Sequence, residues 1–421
     1  MDITIEPRPL TGTLRIPSSK SMTHRELIAA ALADGETKVT GVTWSQDIEA
    51  TVRILSLFGA EIGKEEREDG LALTIDGGLR KQQEILTADA GESGSTLRFL
   101  IPLGLLSENH VIYTGRGRLS ERPLTPYYEI FDEKHISYKT EGGLPLEVEG
   151  KLPAGLYELP GNVSSQFFTG LLFALPLAEG DSVLKSTTKL ESESYVEMTL
   201  DTLSRHGITI HKKASGLYEI PGGQHYKTGH FPVEGDYSQA AFWLVSGLAG
   251  GKMTLTGLSE TSLQGDQAIL SILESMGGSI SKDGNIIAET SKTRGTIMDA
   301  ENVPDLVPAI AALASVSEGR TEIIHGERVR LKECDRLHAM AVELSKLGAD
   351  IKEKPDGLII EGKKSLRGGT VSSWNDHRIA MALAAISPKI EGNLTIEGAE
   401  SVKKSYPRFW DDFKKAGGKL L

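Results

Sequence analysis

The stretch that decides the fold is PSSKSMTHRELIAAALADGETKVTGV, residues 17–42. Serines open it, a run of small apolar residues follows, and a glycine turn leads into a strand-like segment ending near Gly41. The small-residue run predicts a helix that is apolar nearly all round, and such helices are buried inside a protein. Degenerate copies of this pattern begin further along the chain, at Gly91, Gly161, Gly235, Val303 and Trp374.

The copies recur at an almost constant interval. Their strand-like segments end at positions 69 to 74 residues apart, namely Gly41, Gly115, Ser186, Gly257, Gly326 and Gly398. Six units of this length account for all 421 residues. The sequence therefore predicts a repeat architecture rather than a set of unrelated domains.

A second element recurs between the copies: an amphipathic helix, a glycine and the start of a strand. It occurs at 54–62, 202–210, 272–280, 342–351 and 412–420, whereas the equivalent segment 129–138 lacks the glycine. Each unit is thus predicted to be β-α-β-α-β-β, in the α/β class, with buried helices and outer sheets. Six units divide naturally into two lobes of three, with the polar, turn-rich segment 222–234 as the seam and a cleft between lobes as the expected ligand site.

Composition narrows the class of protein. The chain has 46 Lys plus Arg against 58 Asp plus Glu, and the resulting charge of −12 argues against a general nucleic-acid-binding surface. Its single cysteine, Cys334, excludes an intramolecular disulfide and a cysteine-cluster metal site, and we expect it to be a bystander rather than a nucleophile. Because neither a membrane span nor a signal core is recognisable, we expect a cytoplasmic protein that does not associate with membranes.

The starts of the small-residue helices carry the chemistry-bearing side chains. A helix N-terminus offers unpaired N–H groups and a positive dipole end, which favour anions. Lys20, Ser21 and Arg25 lie at the first such start, although an ordinary serine cap with solvated basic residues explains them equally. The hydroxyl-rich loop 89–98 matches neither nucleotide-binding glycine motif, so it does not predict a nucleotide site.

Other helix starts in the first half carry similar groups. Arg116, Arg118 and Arg122 follow the second strand-like segment, where they are either a solvated loop or part of a cationic site. The third helix start has Ser164, Ser165 and Gln166, which together suit a phosphate better than a simple cap. Ser192 and Tyr195 lie in a polar segment that is uninformative by itself.

The second half has the candidates for acid–base chemistry. Asp305 is either a dipole partner of its helix or a carboxylate that accepts a hydroxyl proton. The mixed charges of 328–336 and the segment 374–378 precede further helices. The acid–base candidates are few, and they are Asp305, Glu333, Lys20, Lys404 and His377. With no metal-ligand cluster in the sequence, neutralising an anionic ligand would rest on Arg and Lys.

Taken together, these residues resemble the enolpyruvyl transferases, and most closely the branch that uses shikimate 3-phosphate. Eight short motifs in order carry the resemblance across the chain: Pro17-x-x-Lys20-Ser21-x-x-x-Arg25, the 91–98 loop, Glu121-Arg122-Pro123, Ser164-Ser165-Gln166, Pro304-Asp305, Lys332-Glu333-Cys334-Asp335-Arg336, Asn375-Asp376-His377-Arg378 and Lys404-x-x-Pro407. The resemblance implies two lobes of three βαβαββ units, an inside-out α/β barrel. We place the lobes at 18–230 and at 1–17 with 231–421.

The resemblance also implies an activity. The enolpyruvyl group of phosphoenolpyruvate would pass to the 5-hydroxyl of shikimate 3-phosphate by addition and elimination, with no metal or organic cofactor. We expect the protein to be a monomer. Asp305 would accept the hydroxyl proton with Lys332 nearby, and Glu333 and Lys20 would move protons at the methylene carbon.

The resemblance assigns two sets of binding residues. Shikimate 3-phosphate would contact Lys20, Ser21, Arg25, Ser164, Ser165, Gln166, Ser192, Tyr195, Asp305 and Lys332, with Ser21 and Arg25 on its carboxylate and the three other serines on its phosphate. Phosphoenolpyruvate would contact Lys20, Gly94, Arg122, Gln166, Arg336, Arg378 and Lys404.

Three positions bear on how far the family pattern holds. Glu92 stands where many members have Asn, and Arg328 replaces a frequent Asn, so neither is assigned a substrate contact. Gly94 is retained, and because bulk there would crowd the inhibitor glyphosate, its retention favours sensitivity.

Two alternatives remain open. The sister enzymes that act on UDP-N-acetylglucosamine typically have Lys-Asn at the first helix and a reactive cysteine in the first lobe, whereas this chain has Lys20-Ser21 and no cysteine before Cys334. A non-catalytic anion-binding protein built from the same repeats could lose Asp305, Glu333 and Lys404 without harm, yet all three are present.

Overall fold

The computed structural model describes residues 1–67, 70–82, 84–282 and 284–421. Within these residues the chain divides into two compact units. We call residues 18–233 the first unit, and residues 1–17 with 234–421 the second unit.

Short helices and short strands alternate along both units. The α-helices in the described ranges are α1 (Lys20–Leu32), α2 (Gln46–Leu57), α3 (Gly94–Leu106), α4 (Thr125–Lys134), α5 (Ser165–Ala174), α6 (Glu193–Arg205), α7 (Tyr237–Gly250), α8 (Ile269–Ser275), α9 (Val307–Ala314), α10 (Arg336–Lys346), α11 (His377–Ala385) and α12 (Phe409–Lys415). The strands there are β1 (Ile3–Glu6), β2 (Leu10–Arg15), β3 (Glu36–Val42), β4 (Glu61–Arg67), β5 (Gly70–Asp76), β6 (Leu86–Asp89), β7 (Val111–Thr114), β8 (Ser137–Thr140), β9 (Leu146–Glu149), β10 (Leu156–Leu159), β11 (Ser182–Ser186), β12 (His211–Ala214), β13 (Leu217–Ile220), β14 (His230–Pro232), β15 (Gly251–Thr256), β16 (Ser279–Lys282), β17 (Ile286–Glu289), β18 (Ile297–Asp299), β19 (Arg320–Ile324), β20 (Asp350–Lys354), β21 (Gly357–Glu361), β22 (Leu366–Ser372), β23 (Ile390–Glu397) and β24 (Lys419–Leu420).

The described strands form six four-stranded sheets with one shared arrangement. The orders are β14-β3-β5-β4, β6-β7-β9-β8 and β10-β11-β13-β12 in the first unit, and β2-β15-β17-β16, β18-β19-β21-β20 and β22-β23-β1-β24 in the second. In each order the first two strands are parallel and the other neighbours are antiparallel. The predicted sixfold α/β repeat is confirmed. Within the described residues the sheets are open and none closes into a barrel.

Two strands belong to one unit although the helix that directly follows each of them in the chain belongs to the other unit. Strand β2 precedes α1 in the chain but pairs with β15, with Leu10 opposite Gly251. Strand β14 precedes α7 but pairs with β3, with His230 opposite Lys38. The sixth sheet is completed by both chain ends, because β1 pairs with β23 and β24.

Each unit has its own apolar core, built largely from the small-residue helices. Helix α1 is buried from Met22 to Leu32, α7 from Tyr237 to Ala249, and α9 over its whole length. A helix buried on all sides has no polar stripe, which is why these segments show no helical alternation of apolar and polar residues. None of the helices in the described ranges is long and apolar enough to span a membrane.

Glycine follows five of the six amphipathic helices, in the left-handed region. Gly59, Gly207, Gly277, Gly348 and Gly417 have φ between +79° and +112°. At the sixth position, where the sequence lacks glycine, His135 caps α4 with φ 56°. The turn geometry is therefore kept in all six repeats, at a steric cost in the repeat that has histidine.

Candidate active site

In the first unit, Lys20 begins α1 behind the cap Ser19, whose hydroxyl accepts from the backbone N–H of Met22 at 3.4 Å. The Lys20 ammonium lies 2.7 Å from a carboxylate oxygen of Asp47, and both side chains are largely buried. The predicted cation is therefore part of a buried ion pair. The sequence prediction missed Asp47, because an acidic residue in the first turn of a helix is expected as a dipole partner.

Arg25 lies one turn further along α1 and is fully buried. Its guanidinium donates to the backbone oxygens of Ser21 at 2.6 Å and Tyr195 at 2.7 Å, and to the hydroxyl of Thr199 at 2.9 Å. Burial lowers the pKa of Arg25 to about 10, so the side chain remains charged at neutral pH. Since these bonds go to neutral oxygens, the structure brings Arg25, Ser21 and Tyr195 together around a positive charge that an anion would stabilise.

A second cationic group surrounds the start of α3. Arg98 donates to the side-chain oxygen of Gln166 at 2.8 Å and to the backbone oxygen of Pro123 at 3.0 Å. Burial lowers the pKa of Arg98 to about 9, and the nearby charge of Arg122 adds to the effect. Two guanidinium groups this close favour an anion beside them. Arg98 was not predicted as a site residue, although an arginine inside an otherwise apolar, buried helix was the available signal.

Gly94 allows this grouping to form. A Cβ atom at position 94 would lie 2.6 Å from Nη1 of Arg122 and 3.6 Å from the side-chain oxygen of Gln166. Gln166 in turn donates to the Ser95 hydroxyl at 2.9 Å. The structure thus brings together three predicted residues for phosphoenolpyruvate: Gly94, Arg122 and Gln166.

The remaining predicted residues of the first unit lie at helix starts. Ser164 caps α5, with its hydroxyl accepting from Gln166 N at 3.3 Å, and Ser165 is buried as the first helical residue. Ser192 is buried at the start of α6 in a left-handed conformation, φ 54°. Helix α5 packs against both α3 and α6, so all these helix starts belong to neighbouring helices.

Two arginines of the predicted cationic stretch lie beside acidic side chains. Arg116 is exposed, 3.7 Å from Asp89, and Arg118 pairs with Glu121 at 3.3 Å. The Glu92 carboxylate lies against Gly117, where an added Cβ would be 2.7 Å from its oxygen.

In the second unit, Asp305 lies among three cations. Its carboxylate is 2.8 Å from Arg336, 2.9 Å from Arg378 and 3.4 Å from Lys332. Burial alone would raise the pKa of Asp305, but the charges of these cations outweigh it and hold the pKa well below its ordinary value. Asp305 is therefore a firmly ionised, weakly basic carboxylate.

Arg336 is the centre of this cluster. It is fully buried, and its guanidinium reaches Asp305, Glu333 at 2.6 Å and Asp376 at 2.7 Å. Burial would lower the pKa of Arg336, yet the surrounding carboxylates raise it well above its ordinary value. Four predicted residues are thereby brought into contact, namely Asp305, Lys332, Glu333 and Arg336, and Arg378 joins them through Asp305.

Two further acidic residues near this cluster were not predicted. Burial and the charge of Asp305 raise the pKa of Asp266 to about 7, and its Oδ1 is buried without a hydrogen-bond partner among the described residues. Asp236 caps α7 and accepts from the Ser238 hydroxyl at 2.6 Å, which in turn accepts from Arg378 at 3.1 Å. Both residues sit in turns in the sequence, where acidic residues are ordinary and carry no functional signal.

The last predicted residues lie at the start of α11 and in the turn before α12. Lys404 is buried and donates to the backbone oxygen of Asn375 at 2.6 Å. His377 is buried, with a ring nitrogen 3.8 Å from Asp376.

Arg328, which replaces a frequent Asn of the family, donates to the backbone oxygen of Glu301 at 3.2 Å.

Cys334 is buried beside the carboxylate cluster of the second unit. Burial raises the pKa of the Cys334 thiol, and its sulfur lies 3.6 Å from Asp376. A buried, protonated thiol is a poor nucleophile, in line with the predicted bystander role. Across the described ranges, no group of three or more His, Cys, Asp or Glu side chains is arranged to hold a metal ion.

A family model described as EPSP synthase (3-phosphoshikimate 1-carboxyvinyltransferase) matches residues 5–413. The chain is 50% identical over 420 residues to the 3-phosphoshikimate 1-carboxyvinyltransferase of Clostridium kluyveri, covering 99% of this chain and 98% of the relative. It is 48% identical over 418 residues to the protein of the same name from Clostridium acetobutylicum, covering 99% and 97%. The solved EPSP synthase of Acinetobacter baumannii superposes with a TM-score of 0.82 at 26% identity, covering 100% of this chain and 99% of that one.

Proposed function

Because this chain belongs to the EPSP synthase family, we propose that it transfers the enolpyruvyl group of phosphoenolpyruvate to the 5-hydroxyl of shikimate 3-phosphate. In the addition step, the 5-oxygen bonds to C2 of phosphoenolpyruvate and the methylene carbon gains a proton. In the elimination step, the C2–O bond to phosphate breaks and the methyl group loses a proton. The products are 5-enolpyruvylshikimate 3-phosphate and phosphate.

The observation that carries this proposal is the grouping of Asp305 with Lys332, Arg336 and Arg378. A hydroxyl that adds to C2 must lose its proton, and Asp305 is the carboxylate we assign to accept it. As it stands, Asp305 is a weak base because its pKa is held low by the three cations. An anion that binds Arg336 and Arg378 would offset their charge and raise the proton affinity of Asp305. The base would then gain strength when phosphoenolpyruvate is present.

In the first unit, we assign the carboxylate of shikimate 3-phosphate to Ser21 and Arg25. Its phosphate is assigned to Ser164, Ser165 and Ser192, and the remaining contacts to Lys20, Gln166 and Tyr195. Support comes from the buried charge of Arg25, whose hydrogen bonds go to neutral oxygens, and from the capping hydroxyl of Ser164. Backbone N–H groups and hydroxyls at helix starts are suitable partners for a phosphate.

For phosphoenolpyruvate we assign Lys20, Gly94, Arg122 and Gln166 of the first unit, and separately Arg336, Arg378 and Lys404 of the second. The ligand carries a phosphate and a carboxylate, so several cations are needed to offset its charge. Glu333 and Lys20 are proposed to move protons at the methylene carbon. Both are held close to an opposite charge, Glu333 by Arg336 and Lys20 by Asp47.

We further propose that the chain acts as a cytoplasmic monomer on these two small molecules. The monomer would be seen as a single species near 45.4 kDa in light scattering coupled to size exclusion. A species of twice that mass, unchanged on dilution, would contradict it.

The test of the activity is phosphate release from phosphoenolpyruvate by the purified chain, in the presence of a chelator and no added metal. We expect release only when shikimate 3-phosphate is also present. Release that requires UDP-N-acetylglucosamine instead would assign the chain to the sister activity. Binding of both substrates without any release would favour a non-catalytic anion-binding protein.

A further inference from the structure

The turn that leads into α11 has an unusual backbone. Trp374 and Asn375 have φ of 53° and 52°, and they are the only two consecutive non-glycine residues with positive φ in the described part of the chain. A side chain in this region is sterically strained, and such strain persists only where the surroundings impose it. Contacts with neighbouring groups must therefore stabilise this conformation of the turn.

Glu343 of α10 is such a neighbouring group. It is buried, and its Oε1 accepts from the indole N–H of Trp374 at 2.6 Å while its Oε2 accepts from the backbone N–H of Ser372 at 2.9 Å. Bonds to a buried carboxylate are short and directional. Glu343 thus fixes the backbone before the turn and the side chain of its first left-handed residue.

The atoms that follow in this turn contact the cations assigned to phosphoenolpyruvate. The backbone oxygen of Asn375 accepts from Lys404 at 2.6 Å. The Asp376 carboxylate accepts from Nε of Arg336 at 2.7 Å and from the backbone N–H of Arg378 at 2.8 Å. A change of φ at Trp374 or Asn375 would move both groups, and with them the three cations.

Helix α10 carries both Arg336 and Glu343. Arg336 is its first residue, and Glu343 lies seven positions later, which places both side chains on the same face of the helix. One rigid element therefore carries the arginine and also holds the turn whose Asp376 meets that arginine.

We propose that Glu343 is a positioning residue for phosphoenolpyruvate. It holds residues 372–376 in their strained conformation and so sets Lys404, Arg336 and Arg378 at the spacing that the substrate requires. This inference rests on the proposed function. Glu343 acts through the turn, since its own oxygens are occupied by Trp374, Ser372 and Lys346.

The experiment compares Glu343→Ala, Glu343→Gln and Trp374→Phe in the full-length protein. For Glu343→Ala we expect KM for phosphoenolpyruvate to rise at least tenfold, while KM for shikimate 3-phosphate changes less than twofold. Glu343→Gln should give a smaller rise, because its amide oxygen still accepts the indole N–H but its amide nitrogen cannot accept from Ser372. Trp374→Phe keeps an aromatic ring beside His338 but removes the indole N–H donor together with the five-membered ring, so it should raise the same KM.

A double variant separates a shared mechanism from two independent defects. Residues that act as one unit show non-additive effects. The rise in KM for Glu343→Ala combined with Trp374→Phe should therefore be no larger than that of Glu343→Ala alone. Multiplication of the two single effects would overturn the proposal.

The matched control is Lys346→Met. Lys346 also bonds both oxygens of Glu343, but its side chain is about half exposed and it does not bond the turn. We expect its KM for phosphoenolpyruvate to stay within twofold of the parent. If Glu343→Ala does not fold, the test uses Glu343→Gln, which conserves the side-chain volume, together with Trp374→Phe.

The outcomes distinguish this inference from the function on which it rests. An active parent whose Glu343 variants lose stability but keep KM for phosphoenolpyruvate within twofold would overturn the positioning role alone. A parent that releases no phosphate with both substrates present would overturn the proposed function as well.

Discussion

Arg336 donates through Nη1 to Oδ1 of Asp305 at 2.8 Å, and this bond joins the proposed base to a cation assigned to the substrate. The same guanidinium holds Glu333 and Asp376. If phosphoenolpyruvate binds Arg336 as proposed, it meets a cation whose charge protein carboxylates already offset. Binding therefore exchanges one set of ion pairs for another instead of filling an unpaired positive site.

Asp305→Asn should lower kcat by about 10²- to 10⁴-fold, the range associated with removing a general base. The amide keeps the shape of the carboxylate but cannot accept the hydroxyl proton. Phosphate release measured under saturating substrates gives the value. Asp350→Asn is the control, since Asp350 is exposed at the start of β20 and its change should leave kcat unaltered. A loss smaller than tenfold in Asp305→Asn would remove the residue from the proton-transfer role.

Arg336→Lys should destabilise the protein by about 1–3 kcal/mol, because lysine keeps the positive charge but leaves some of the buried carboxylate oxygens of Asp305, Glu333 and Asp376 without a hydrogen bond. Lysine cannot present the planar fork that reaches three carboxylates at once. Urea unfolding followed by circular dichroism measures the change. Arg320→Lys is the matched control, because Arg320 pairs with Glu322 at the surface and should change stability by less than about 1 kcal/mol. Equal effects at the two positions would contradict the expectation.

Asp266 should make stability depend on pH in a definite direction. Its folded pKa, about 7, is raised above the ordinary value of 3.8, so the folded state holds this proton more tightly than the unfolded state. The stabilisation of the folded state by the Asp266 proton is fully present below about pH 4 and is lost as the pH rises through 7. Asp266→Asn removes the titration. We therefore expect the free energy of unfolding of the variant, relative to that of the parent, to rise by about 1 kcal/mol per pH unit between pH 5 and 7.

The measurement for Asp266 is chemical unfolding of both proteins at a series of pH values. Subtracting the two curves removes the contributions of titrating groups that do not interact with Asp266. A difference that is flat from pH 4 to 8 would show that this carboxyl does not titrate in the predicted range.

His135→Gly should stabilise the protein by about 0.5–1 kcal/mol, because glycine adopts the left-handed conformation at φ 56° without steric cost. The same turn in another repeat provides the opposite change. Gly348→Ala, at φ 88° with open space around the added Cβ, should destabilise by about 1 kcal/mol. Thermal unfolding of both variants is the check, and shifts of the same sign would refute the shared turn geometry.

Gly94→Ala should raise KM for phosphoenolpyruvate about tenfold and reduce inhibition by glyphosate. The added Cβ would lie 2.6 Å from Nη1 of Arg122, so that guanidinium must move away from its position. Displacing a substrate-positioning group by a fraction of an ångström is enough for an effect of this size. Gly63→Ala is the control, since its Cβ would be 3.8 Å from the nearest atom, an ordinary contact. Unchanged KM and inhibition in Gly94→Ala would separate Arg122 from the substrate.

The sequence by itself determined the sixfold repeat, the buried helices and the glycine turns after the amphipathic helices. These features depend on local conformation and on periodicity, which a single chain displays directly. The same local logic found the helix starts that carry Lys20, Ser164, Asp305 and Arg378. It did not find Arg98, Asp266 or Glu343, because an isolated charged residue in a helix or turn looks the same whether it is solvated or buried.

Only the tertiary structure decided which groups pair. The exchange of β2 and β14 depends on hydrogen bonds between segments more than 190 residues apart, with Thr13 opposite Thr254 and Val39 opposite Phe231. The same holds for the ion pairs of Arg336 with Asp305 and Asp376, which lie 31 and 40 residues away. Burial and Coulomb energy act through space, so the charge state and basicity of each predicted residue follow from its neighbours in the fold and not from its neighbours in the chain.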